Sequence, residues 1–66
     1  MTNSKYMEYN KVRDYLNFNP EDYEGCWVVI VLDDEGWGWD IFEAFEDYRL
    51  AQELANCSDE YKIVRM

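Results

Sequence analysis

The longest unbroken apolar run in the chain is Trp27-Val28-Val29-Ile30-Val31-Leu32, and most of it is β-branched. Branching at the β-carbon suits a pleated strand better than a helix. The run stops at Asp33-Asp34-Glu35-Gly36, and a second, aromatic-rich run extends from Trp37 to Phe45. This pattern predicts a β-hairpin whose loop ends in a glycine able to take positive φ. With Asp34-Glu35-Gly36 as a three-residue loop, Val31 faces Trp39 and Val29 faces Ile41. Alternation of side chains then gathers Trp27, Val29, Val31, Trp37, Trp39, Ile41 and Phe45 on one face. The other face collects Val28, Ile30, Leu32, Gly38, Phe42 and Ala44, with Asp40 as its polar exception. Both faces are apolar, so each needs a cover, unlike a sheet with one wet side.

Ahead of the hairpin, Tyr6, Tyr9, Val12 and Leu16 recur at three- and four-residue spacing. They predict a helix over residues 4–17, capped by Asn3 or Ser4, with a strand as the rival because tyrosine favours strands. Asn17-Phe18-Asn19-Pro20 ends that element, since asparagine favours turns and the residue before proline avoids the helical region. Glu21-Asp22-Tyr23-Glu24-Gly25 reads as an acidic linker with room for one helical turn after Pro20. Beyond the hairpin, Asp47 is the expected N-cap of a helix at 48–56. Leu50, Ala51, Leu54 and Ala55 form its buried stripe, and Asn56 is expected to end it in the left-handed conformation. Ser58-Asp59-Glu60 is a turn, and Tyr61 to Met66 is a last strand.

These elements predict one small α+β domain over residues 1–66, with an N-terminal helical segment at 1–20 and a ββαβ core at 26–66. A right-handed crossover through the helix gives a three-stranded antiparallel sheet in order 2-1-3, with the first hairpin strand central. The helix is expected on the face with Gly38 and Ala44, where small residues leave room. The tryptophan-rich face is left to the N-terminal helix, a second copy of the chain, or a target.

Composition sharpens this picture. At 66 residues a core is possible but small, and 48% apolar with 18% aromatic residues is enough to fold. No apolar segment is long enough to span a membrane, and the first residues lead into no apolar run of an export signal. Cys26 and Cys57 are therefore expected as reduced thiols in a cytoplasmic protein. The net charge is −9, and it is concentrated: residues 21–60 carry thirteen carboxylates against Arg49 alone. Phosphates would repel such a chain, so direct binding to nucleic acid is not expected. A basic partner would be attracted and its encounter accelerated.

Catalytic chemistry finds little footing. There is no histidine, the commonest general base and metal ligand. Ser4 and Ser58 stand in no nucleophile motif, and no glycine-rich phosphate loop appears. The cysteines lack zinc-site spacing, and Asp33-Asp34-Glu35-Gly36 lacks the alternating ligands of a calcium loop. No cofactor, metal or enzymatic activity is expected.

Two constellations remain. Trp37-Gly38-Trp39 places two indoles on one face of a strand, for core or dimer packing or for an anchor in a partner's pocket. The carboxylates form either a solvated surface that keeps an aromatic-rich protein soluble or an array that imitates nucleic acid. Alternate strand positions stand about 6.5–7 Å apart, comparable to backbone phosphates along a contour. A groove lined with Lys and Arg would accept such an array in place of DNA, with the same sensitivity to salt. The residues expected at the partner are Asp33, Asp34, Glu35, Trp37, Trp39, Asp40, Glu43, Glu46 and Asp47. Reversal of Asp33, Asp34 and Glu35 to lysine is expected to spare folding.

The order of elements from residue 27 to 65 resembles the small acidic inhibitors that phages direct against host nucleic-acid enzymes. Val28 to Leu32, the Asp33-Asp34-Glu35-Gly36 turn, the aromatic second strand, the short helix and Asp59-Glu60-Tyr61-Lys62-Ile63-Val64-Arg65 are similar to one type of phage uracil-DNA glycosylase inhibitor. That resemblance implies a dimeric DNA mimic. The N-terminal segment is extra to it, and Trp37 and Trp39 have no counterpart in it. Anti-CRISPR proteins are similar in size and acidity. The implied function is a phage-encoded inhibitor of a basic host protein, with a CRISPR effector the first target and a repair glycosylase the second. The rival is a self-associating accessory protein whose charge only solubilises it.

Overall fold

The structure, a computed structural model, describes residues 5–66. It is α+β, built as β1 (Tyr6–Met7), α1 (Tyr9–Val12), β2 (Trp27–Leu32), β3 (Trp39–Phe45), α2 (Tyr48–Ala55) and β4 (Lys62–Arg65). Short 3-10 turns at Arg13–Tyr15 and Pro20–Tyr23 link α1 to β2. Among the described residues no helix is long and apolar enough to cross a membrane.

The sheet is four-stranded and mixed, in order β1-β4-β2-β3, so it differs from the three-stranded antiparallel sheet in order 2-1-3 expected from the pattern. β2 lies antiparallel to both β3 and β4, and β1 adds a parallel strand outside β4. That fourth strand comes from the segment expected to be helical. Tyr6 and Met7 pair with Ile63 and Val64, and the Ile63 amide donates to the Lys5 carbonyl at 2.9 Å. Only the single turn of α1 forms a regular α-helix there. A short isolated helix is marginal, whereas pairing with β4 satisfies backbone groups on an otherwise open edge. The caps expected at Asn3 or Ser4 lie outside the described residues.

The hairpin register also departs from expectation. Leu32 pairs with Trp39, Val31 with Asp40 and Ile30 with Ile41, so the loop runs from Asp33 to Gly38. Past Ile41 the register shifts at a β-bulge, and Val29 pairs with Glu43 and Val28 with Ala44. A shift by one residue moves side chains to the opposite face. Trp39 and Ile41 therefore join Val28 and Ile30 instead of Val29 and Val31. Asp40 moves the other way, opposite Val31.

Each face is closed by the chain itself. Val28, Ile30, Val64 and Val12 form one core cluster, packed by Met7, Tyr9, Leu16, Phe18 and Tyr23 of the N-terminal segment. Val29 and Ile63 form the other with Ala51 and Ala55 of α2, flanked by Trp27, Phe45, Leu54 and Tyr61. The helix thus lies on the face of Trp27 and Phe45, not on that of Gly38 and Ala44. Its two fully buried alanines permit the close approach. Leu50, expected in the buried stripe, is 49% exposed.

Asp47 caps α2 as expected, its Oδ1 accepting from the Arg49 amide at 2.9 Å. Asn56 is right-handed, at φ −75°, rather than left-handed. The amides of Asn56, Cys57 and Ser58 reach back to Gln52, Leu54 and Ala55, which satisfies the last carbonyls without a left-handed residue. Cys26 is half-buried and Cys57 exposed, and both are free thiols.

Candidate functional site

The loop between β2 and β3 is built around Asp33. Its Oδ1 accepts from the amides of Glu35 at 3.0 Å and Trp37 at 2.9 Å. Its carbonyl accepts from the Gly36 amide at 3.0 Å, and its own amide donates to the Gly38 carbonyl at 2.9 Å. Gly36 takes φ +74°, the left-handed conformation expected of it. An aspartate that folds its carboxylate onto the following backbone mimics a turn. The Trp37 amide, helped by those of Gly36 and Glu35 and by the Asn17 side chain, holds the Asp33 carboxyl below the usual aspartate range despite some desolvation.

The N-terminal segment clamps this loop from outside. The Asn17 amide donates to the Trp39 carbonyl at 2.8 Å, and Leu16 bridges Trp39 in parallel. The Asn17 Nδ2 donates to Asp40 Oδ1 at 2.8 Å and to Asp33 Oδ2 at 3.4 Å. One neutral amide thus sits between two carboxylates and offsets their repulsion. Gly38 is buried beneath this contact.

The turn from α2 to β4 arrives at the same end of the sheet, because the start of β4 pairs with the latter half of β2 (Lys62 with Ile30). Ser58 Oγ accepts from the Glu60 amide at 3.2 Å and shapes this turn. Lys5 Nζ donates to the Ser58 carbonyl, which ties the turn to the N-terminal segment. Between loop and turn lies an open hollow of about 390 Å³, floored by Leu32 and Trp39 and rimmed by Asp33, Asp34, Asp59 and Glu60, with Lys62 the one cation. A second hollow of about 470 Å³ shares Leu32, Asp33 and Asp34 with the first and adds Val31, Glu35 and Asp40. The two together bring six carboxylates to one end of the molecule. Among the described residues the only ion pair within 4.0 Å joins Arg13 to Asp14, so none of the six is neutralised that way. No group of three or more acidic or thiol side chains among the described residues is arranged to hold a metal ion. The carboxylates stand apart along a rim instead of converging on a point.

The residues expected at a partner divide. Asp33, Asp34, Glu35 and Asp40 belong to this end. Trp37 is in the same loop and 77% exposed. Trp39 does not share a face with Trp37 as a second free indole; it is half-buried and packs on the Val12 cluster. Glu43 is exposed partway along β3. Glu46 and Asp47 follow the far end of that strand, about 20 Å from the loop by strand rise, and Asp47 is occupied as the cap of α2. Asp33 Oδ1 accepts from two amides of the loop, and a lysine at 33 would remove both hydrogen bonds. Asp59 and Glu60 were not among the expected residues. Their signal is the expected antiparallel pairing itself: a turn that feeds a strand antiparallel to β2 lies beside the end of β2.

Searches of protein-family models, curated proteins and solved structures return no match.

Proposed function

We propose that this protein is a non-enzymatic acidic inhibitor, phage-encoded, that occupies the basic nucleic-acid groove of a host protein by DNA mimicry. The carrying observation is the anionic end: six carboxylates from two loops and β3, gathered around shared hollows on a hydrogen-bonded frame. Rigidity matters, since an array that must be ordered on binding loses affinity to entropy. Asp33 and Asn17 supply it. Trp37, exposed beside the rim, offers an apolar anchor of the kind enriched at interface hot spots. A CRISPR effector is the first target class and a uracil-DNA glycosylase the second, with action in the host cytoplasm.

The test is capture of each candidate target by the purified chain, with and without reversal of Asp34, Glu35, Asp59 and Glu60 to lysine. Mimicry requires that the reversal abolish capture, that duplex DNA compete, and that affinity fall steeply with salt. Capture that survives both reversal and salt would overturn it. Self-association remains the second reading, because Phe42 and Leu50 are each 49% exposed. Sedimentation decides it: a dimer dissociated by Leu50→Glu would support it, and a monomer would remove it.

A further inference from the structure

The two hollows at the anionic end differ in their floors. The larger is lined by Val31, Leu32 and carboxylates alone, whereas the smaller sets Leu32, 52% exposed, beside Trp39. An apolar and aromatic floor with an anionic rim is not what a solvated acidic surface requires. It matches a side chain with an apolar stem and a cationic head. Its volume of about 390 Å³ lies within the usual range of sites for small groups, about 300–1,000 Å³. Four carboxylates face the single ammonium of Lys62, so the hollow carries an excess of negative charge.

We infer that the hollow between the β2–β3 loop and the α2–β4 turn seats an arginine side chain from an extended basic segment of the partner. The stem lies on Leu32, and the guanidinium reaches the rim of Asp34, Asp59 and Glu60 beside Trp39. Arginine is favoured over lysine for two reasons. Its planar head pairs bidentately with carboxylates, and it stacks on an aromatic ring with a smaller loss of hydration. This deepens the mimicry proposed above and rests on it: charge draws the partner in, and the hollow selects which cation docks.

Two capped pentapeptides of equal charge provide the probe, Gly-Arg-Gly-Arg-Gly and Gly-Lys-Gly-Lys-Gly, titrated into the full chain and followed by NMR. The arginine peptide is expected to bind about three- to fivefold tighter, as one exposed cation–π contact provides. Its shifts should centre on the Leu32 methyls and the Trp39 indole. Leu32→Ser, checked for folding by circular dichroism, should erase the preference, and Leu32→Met should keep it. Equal affinities in the unaltered chain, or shifts centred away from the hollow, would overturn the inference. Target capture that still depends on charge would then leave mimicry standing, whereas loss of that dependence would remove mimicry itself.

Discussion

The backbone of Gly38 lies so close to Asn17 that a β-carbon at residue 38 would stand 2.8 Å from Asn17 Oδ1 and 2.8 Å from the Tyr15 carbonyl oxygen. One of those atoms is backbone and cannot swing aside. Gly38 does not take positive φ, so its requirement is space and not conformation. Gly38→Ala is therefore expected to cost about 1–3 kcal/mol, as overpacking does. Urea unfolding should show a lowered midpoint, and an unchanged midpoint would mean that the Tyr15–Asn17 segment is not seated on β3.

Asp33 gives the loop a pH dependence whose sign follows from its depressed carboxyl. Its contribution is fully present above the ordinary aspartate pKa of 3.8 and is lost as pH falls through the lower folded-state value. NMR should show the Glu35 and Trp37 amides shifting together in strong acid. In Asp33→Asn the acid step at these amides should vanish, and Asp33→Ala should speed their hydrogen exchange at neutral pH. Amides that do not respond to either change would show that the carboxylate does not hold the loop.

Ile63 and Leu50 test which apolar residues carry the fold. Ile63 is fully buried against Val29, Ala51 and Ala55, so Ile63→Ala should cost about 2–5 kcal/mol. Leu50 belongs to α2 but lies outside that cluster and is half-exposed, and Leu50→Ala should stay within about 0.5 kcal/mol. Comparable losses from the two, in denaturant melts, would place α2 in a different rotation about its axis.

Trp37→Ala separates anchoring from folding. The indole is 77% exposed, so stability should change by no more than about 0.5 kcal/mol. Affinity for a captured target should fall by about 2 kcal/mol or more if the indole fills a pocket. An unchanged affinity would confine recognition to charge and to the neighbouring hollow.

Local pattern made several features legible. The β-branched run of β2, the positive φ at Gly36, the Asp47 cap and the helical turn after Pro20 each depend on neighbours within a few residues. The acidity of the 21–60 stretch needed only counting. The register did not follow from such cues, because the Asp33 carboxylate bonds two amides beyond itself and stretches the loop to Gly38. That displacement carried Trp39 and Ile41 to the opposite face.

By itself the sequence determined an α+β chain with a central apolar strand, a capped short helix and a strongly negative middle. Only the tertiary structure decided that Tyr6 and Met7 become a parallel strand on β4. Only it decided that the Asp33 carboxylate turns onto its own loop, and that Trp39 packs inward while Trp37 stays exposed. The physical reason is that propensity, capping and charge are local energies. The identity of a neighbour across the sheet is set by register and by whichever segment satisfies an open edge, and both involve residues far apart along the chain.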